Sequence, residues 1–283
     1  MNKDMHKAVH KTEKSVGTKI KENLASGITV ALISIPLSCA LAIASGATPM
    51  MGLSAAIYGP AVAGLLGGSN YNILGPAGAL VNILNRLSLE NGREIIPWVA
   101  FFAGVLSLGV WALKLEKYCT LIPNSVLEGF SFGVALTIGL GQLNFALGLM
   151  NPAPAKEFYL NVLWSIQNSG NLVLAEFVPF LVFFVMLYSL MKFLPGRPWI
   201  IVISVMGVIY GVLSENFFPS FKPTLLKNKY PDMTEGASIV DFTYASKSFP
   251  LSALIIGSLE IAFVAVLETL ISARIADVLT ETR

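Results

Sequence analysis

Long apolar stretches separated by short polar segments run through the chain from about residue 24 onward. They lie at 24–45, 50–67, 73–87, 95–113, 122–149, 172–194, 198–214 and 250–273. A helix needs about 20 apolar residues to cross the hydrocarbon core of a bilayer, and most of these stretches meet that length. The pattern therefore predicts an all-α integral membrane protein with about eight membrane segments.

The third stretch is too short to cross as a helix, and it contains the pair Gly75-Pro76. Proline favours the first turn of a helix, where its missing N–H costs nothing. We therefore expect residues 70–74 to form a short extended lead-in and a half-helix to start at Pro76. A helix that starts inside the bilayer exposes N–H groups and the positive end of its dipole, so this start should line a protein cavity that favours an anion.

Composition supports a membrane protein and excludes several function classes. Charged residues make up 13% of the chain and hydrophobic residues 54%, whereas a soluble domain carries about 25% charged residues. The net charge of +2 gives no reason to expect a nucleic-acid partner. Cys39 and Cys119 lie in or beside apolar segments, and His6 and His10 have no carboxylate or thiol cluster around them, so no metal or other cofactor is expected. Without an H-E-x-x-H motif or a Ser/His pair in the spans, an enzyme is not expected either.

Positive charge is concentrated before the first apolar stretch. This segment carries Lys3, Lys7, Lys11, Lys14, Lys19 and Lys21. Since lysine and arginine are enriched on the cytoplasmic side, residues 1–23 are predicted to be a cytoplasmic tail of a plasma (inner) membrane protein. The following apolar run is long enough to span, so no cleaved signal peptide is predicted. Alternating spans then place Arg86 on the outer side.

Two further features within the spans bear on chemistry. Pro36 lies at mid-span between Ser34 and Ser38, where it produces either an ordinary kink or part of a site. Glu268 is an ionisable group deep in the last stretch, which by default indicates function. Glu260 lies nearer the outer end of the same stretch, where we expect it simply to reach water.

Five motifs, in order along the chain, resemble the sulfate permease (SulP) family of anion transporters. They are the opening span at 27–46, the segment with Pro49 and 67–69, the Gly75-Pro76 pair, the fifth-span pattern at 122–133, and the eighth-span pattern at 268–283. The resemblance covers nearly everything after the tail. Each motif alone is weak, and their shared order makes the resemblance specific.

The resemblance implies a seven-plus-seven inverted-repeat transporter fold divided into a core and a gate domain. Residues 24–113 would be core spans one to four, 122–214 gate spans five to seven, 215–249 an extramembrane loop, and 250–283 the eighth span at the start of the second repeat. The chain would then be truncated after about the eighth span, without the tenth span or the usual STAS domain. A homodimer is also expected.

The resemblance also implies a site, because substrate in that fold lies between two half-helices, the third and tenth spans. The substrate-binding residues would be Gly75, Pro76, Ala77, Gly78 and Ala79. Many family members carry a hydroxyl residue where this chain has Ala77, which leaves the identity of the anion open. Glu268 would bind a coupling Na⁺ or carry a proton, and Ser272, one turn further on, would add an oxygen ligand.

These observations favour secondary active transport of an inorganic anion, sulfate or bicarbonate, across the plasma membrane by symport with Na⁺ or H⁺. The alternative is a non-transporting membrane module, a truncated paralogue that binds an anion or a partner subunit. The expected partners are therefore a small inorganic anion and the lipid bilayer. Chloride and dicarboxylates remain open as substrates, since amide dipoles bind them all.

Overall fold

The computed structural model describes residues 16–67, 75, 77–114, 123–149, 155, 157–217, 223–225 and 247–280. The regular elements in these residues are ten α-helices and two 3₁₀ turns. The helices are α1 (Val16–Ala44), α2 (Pro49–Leu66), α3 (Val81–Asn91), α4 (Ile95–Ala112), α5 (Asn124–Gly141), α6 (Leu143–Ala146), α7 (Phe158–Gln167), α8 (Leu174–Phe193), α9 (Trp199–Phe217) and α10 (Leu251–Thr280); the 3₁₀ turns are Gly78–Leu80 and Ser169–Asn171. Most of the predicted tail, the lead-in 70–74 and Pro76 lie outside the described residues.

The all-α membrane prediction is confirmed. Six segments in the described part of the chain are long and apolar enough to cross a bilayer: Ser26–Ala44, Pro49–Leu66, Ile95–Ala112, Glu128–Ala146, Leu174–Phe193 and Leu251–Ala273. Each of the eight predicted stretches contains a helix. The fifth stretch is interrupted at Gln142, between α5 and α6, and the short helix α7 was not predicted because its polar residues interrupt the apolar pattern.

The third span is a half-helix, and it starts later than the sequence predicts. Ala77 is extended, with φ −105° and ψ 112°, and the helix begins as the 3₁₀ turn Gly78–Leu80 that continues into α3. The prediction that it starts at Pro76 is therefore wrong by two residues. The 3₁₀ turn and α3 together extend about 20 Å, short of the roughly 30 Å hydrocarbon core.

An apolar core holds α3 against α4 and α10. Its buried residues are Leu87, Ile95, Val99, Ala103, Ile261 and Ala262. Gly257 on α10 allows the close approach, since a Cβ at that position would lie 2.8 Å from a Leu87 methyl and 3.3 Å from a Val99 methyl. Burial of these side chains thus fixes the half-helix between α4, which follows it directly in the chain, and α10, which is distant in sequence.

Helices α1 and α2 form a second tightly packed pair. A Cβ at Gly52 would lie 2.5 Å from the Ser38 carbonyl oxygen, so only glycine permits this approach. The turn between them is capped because Thr48 Oγ1 accepts a hydrogen bond of 3.3 Å from the Met51 N–H. α1 continues through Pro36, and the Ser38 hydroxyl donates to the Ser34 carbonyl at 2.6 Å.

Candidate functional site

At the start of the half-helix, backbone N–H groups precede the first intrahelical hydrogen bond. That bond runs from the Leu80 N–H to the Ala77 carbonyl at 3.4 Å. The N–H groups of Gly78 and Ala79 precede it, and they lie at the positive end of the helix dipole. Gly78 is buried, Ala77 and Ala79 are half-buried, and Gly75 is exposed. The described residues of the predicted site therefore cluster at a helix start that can donate to an anion.

A cavity of about 420 Å³, which we call the α3–α5 cavity, opens beside Gly78. One face of the half-helix lines it through Gly78, Asn82, Asn85 and Leu89, spaced by four, three and four residues. The facing wall comes from the ends of α1 and α5 and from α6 and α7. The polar side chains that the described residues contribute to the lining are all uncharged: Asn82, Asn85, Thr137, Gln142, Asn144, Asn161 and Ser165.

A second cavity of about 420 Å³, the α1–α2 cavity, lies against the other side of the helix start. Gly75 and Ala77 line it, together with Ser38 and the Gly59-Pro60 pair of α2. Most of its lining is apolar. The sequence left open whether Pro36 produces an ordinary kink or part of a site. Ser38 lines this cavity, whereas Pro36 itself does not.

Helix α5 reaches the helix start at Ile138. A Cβ at Gly78 would lie 2.7 Å from Ile138 Cγ1, so glycine at this position lets the two helices meet. Gly78 and Ile138 both line the α3–α5 cavity. Ala79, by contrast, lines neither cavity.

The predicted coupling residues lie elsewhere on α10. Glu268 is half-buried and Ser272 is exposed, and neither lines either of the two cavities. Within the described part of the chain, the Glu268 carboxylate makes no hydrogen bond or ion pair, including to residues 75 and 77–79. Glu268 lies seven residues, or about 10 Å, further along α10 than the core residue Ile261. Its coupling role stays a prediction.

Sequence reasoning missed two groups of polar residues. The spacing of Asn82 and Asn85 from Gly78 could have indicated their position, because residues four and seven positions apart share a helix face. Asn161 and Ser165 lie on the unpredicted helix α7, where Asn161 makes two hydrogen bonds of 2.7 Å with the Ala155 backbone. No pattern in the sequence places α7 beside α3.

Glu260 was expected only to reach water, but in the structure it also contacts α3. Its Oε2 accepts a hydrogen bond from Arg86 Nη2 on α3, and the two residues form an ion pair. The pair joins the half-helix to α10. The two opposite charges, in the third and the last apolar stretches, are visible in the sequence, but their pairing depends on how α3 and α10 pack.

Comparison with known proteins identifies the family. Residues 20–283 match the Sulfate permease family. The Bacillus subtilis (strain 168) protein "Putative sulfate transporter YvdB" is 29% identical over 92% of this chain and 48% of its own length. The Bos taurus "Sodium-independent sulfate anion transporter" is 32% identical over 60% of this chain and 28% of its own length. The "Bicarbonate transporter BicA" of Picosynechococcus sp. (strain ATCC 27264 / PCC 7002 / PR-6) is 29% identical over 54% of this chain and 28% of its own length.

These relatives are named as transporters, not enzymes. The chain spans about half the length of the Bacillus subtilis relative, 48% of it. The family match covers nearly all of the described helices and includes the half-helix start. The chain belongs to the Sulfate permease family.

Proposed function

We propose that this chain forms part of a secondary active transporter that carries sulfate or bicarbonate by symport with Na⁺ or H⁺. The observation that carries the proposal is the half-helix that starts at Gly78 beside a cavity whose described lining is uncharged and includes several polar side chains. Relatives named for sulfate and for bicarbonate support both anions as candidates.

The chemistry of the helix start suits an oxyanion. The Gly78 and Ala79 N–H groups supply partial positive charge, and no lysine or arginine lines the cavity in the described part of the chain. Backbone donors avoid the desolvation cost of burying a full cation, so the anion can bind and leave. Gly75, Pro76 and Ala77 complete the proposed binding segment.

Transport would come from movement of the core domain against the gate domain. The packing of α10 on α3 and α4 supports assigning 24–113 and 250–283 to one body. The gate, 122–214, meets this body at Gly78 and Ile138. A relative motion of the two domains would therefore open or close the substrate cavity directly. The inverted repeat, the homodimer and a cytoplasmic N-terminus in the plasma membrane belong to the same proposal.

The coupling cation is proposed to bind at Glu268 and Ser272. A carboxylate within a membrane span is costly, and this one has no ion-pair partner among the described residues, which supports a role in holding Na⁺ or a proton. Both residues lie on one face of α10, four positions apart.

The test is uptake of labelled anion into proteoliposomes that contain this chain. Sulfate, bicarbonate, chloride and a dicarboxylate would be compared with and without a Na⁺ or pH gradient, beside the longest reading frame that begins with this sequence. Saturable, cation-dependent uptake of sulfate or bicarbonate by either protein supports the proposal. Absence of uptake by both, in folded and inserted protein, overturns it in favour of a non-transporting membrane module.

A further inference from the structure

We propose that Asn82 and Asn85 form a second anion subsite in the α3–α5 cavity, beyond the half-helix start. The inference rests on the proposed function because it adds a second binding position for the same anion. Its ligand class is a small oxyanion bound through side-chain amide N–H groups. The subsite would hold the anion on its way between the bulk solution and the Gly78 N–H groups.

Helix geometry places both amides along the path into the cavity. Asn82 and Asn85 lie four and seven residues after Gly78, on the same face, and both line the cavity. Their positions are about 6 Å and about 10 Å further along the helix axis than Gly78. Gln142 and Asn144 line the opposite part of the same cavity. An anion that leaves the helix start along this face therefore meets amide donors at each turn.

The hydrogen bonding of these amides differs from that of other asparagines. The side-chain amides of Asn91, Asn161 and Asn168 donate to backbone carbonyls at 3.3, 2.7 and 2.9 Å. Asn82 and Asn85 are half-buried, yet within the described residues neither side chain has a protein hydrogen-bond partner. Half-buried amides are normally satisfied by protein, water or ligand, so these two are available to a solute.

The absence of carboxylates from the described lining and the nearby helix dipole favour an anion over a cation at this position. Among the described residues, the cavity lining carries no carboxylate, and the helix dipole places positive potential at Gly78. Arg86, next to Asn85 in sequence, pairs with Glu260 on α10 and is absent from the cavity lining. The subsite is therefore neutral. Neutral donors bind an anion weakly enough to release it, which a subsite on a transport path requires.

The first experiment measures binding without requiring transport. In a Cys39→Ala, Cys119→Ala background, Leu89→Cys, which lines the same cavity one turn beyond Asn85, is labelled with a negatively charged methanethiosulfonate reagent in the presence of sulfate, bicarbonate or gluconate. We expect sulfate or bicarbonate to slow labelling at least about threefold, and the added change Asn82→Asp to abolish that protection because like charges repel. Gln167→Cys, on α7 outside the cavity lining, is the control and should label at the same rate in every salt.

The second experiment measures uptake by Asn82→Asp, an isosteric change, with Gln167→Glu as the matched control. We expect the apparent affinity for the anion to fall about tenfold or more in Asn82→Asp and to stay unchanged in the control. Protection without uptake by the parent protein would support the subsite and overturn the proposed function. Uptake without protection, and with normal affinity in Asn82→Asp, would overturn the subsite alone. Protection by Na⁺ irrespective of the anion would overturn its assignment to anions.

Discussion

Arg86 on α3 and Glu260 on α10 are joined by an ion pair with an Nη2–Oε2 distance of 2.5 Å. The side chains are 40% and 35% exposed, so the pair lies at the edge of the packed core rather than inside it. Asn82 and Asn85 line the α3–α5 cavity, whereas the neighbouring Arg86 is turned to α10. The half-helix is therefore held to α10 by charge as well as by apolar packing.

Disrupting this pair should loosen the half-helix. We expect Arg86→Gln and Glu260→Gln each to destabilise the protein, and a double-mutant cycle to give a coupling of about 1 kcal/mol, typical of a partly exposed pair. Thermal unfolding in detergent measures the effect. Glu128→Gln, at an exposed position near the start of α5, is the control. Strict additivity of the two changes would show that the pair contributes nothing to stability.

Packing of α1 on α2 depends on the absence of a side chain at Gly52. We expect Gly52→Ala to destabilise the protein by about 1–3 kcal/mol, because its methyl group would overlap the Ser38 carbonyl and the Ala42 side chain. Gly64→Ala is the matched control in the same helix, since nothing lies within 4 Å of a Cβ built there. The midpoint of thermal unfolding should fall only for Gly52→Ala, and equal midpoints would contradict the close approach.

A pair of compensating changes in side-chain size tests the contact between the half-helix and α5. We expect Gly78→Ala to reduce anion uptake about tenfold, because its methyl group would press against Ile138 and displace either the helix start or α5. Adding Ile138→Ala makes room for that methyl group and should recover most of the uptake. Ile138→Ala alone is the control. Failure of the double variant to recover would show that Gly78 is needed for another reason.

The pH dependence of stability can be predicted for Glu94, which lies between α3 and α4 outside the spans. Its own backbone N–H and the Lys247 ammonium, 3.0 Å away, hold the pKa of the Glu94 carboxyl below its ordinary value of 4.5. A lowered folded pKa contributes stability that is present above 4.5 and is lost as pH falls through the folded pKa. Glu94→Gln should therefore lessen the loss of stability on acidification below about pH 4.5.

Denaturation midpoints between pH 7 and pH 3 measure this contribution. Glu157→Gln, an exposed carboxylate before α7, provides the comparison. Lys247→Met should reproduce part of the Glu94→Gln effect, since it removes one of the two stabilising partners. A pH profile that Glu94→Gln leaves unchanged would contradict the assignment.

Glu268 is expected to couple anion uptake to a cation. We predict that Glu268→Gln abolishes the dependence of uptake on Na⁺ or on a pH gradient while the protein remains folded and inserted, because the amide carries no charge and cannot exchange the proton. Glu128→Gln should keep the dependence. Cation-dependent uptake that survives Glu268→Gln would reject the coupling role.

The local pattern of apolar and polar residues predicted most helices of this protein correctly. Apolar length alone located the spans, because lipid accepts a backbone only when its polar groups are satisfied within a helix. The Gly75-Pro76 pair and the short third stretch predicted a half-helix, although it starts at Gly78 and not at Pro76. Helix α7 was missed because a ten-residue helix with interspersed polar residues has no distinctive period.

Long-range packing decided the surroundings of the site. The sequence by itself determined the membrane class, the family motifs and the presence of the half-helix, since each depends on neighbouring residues. Only the tertiary structure placed Asn82 and Asn85 in a shared cavity, paired Arg86 with Glu260, and brought Ile138 against Gly78. Those relationships depend on which faces of distant helices are buried together. The sequence of a helix shows the character of each of its faces, but it does not show which other helix packs against that face.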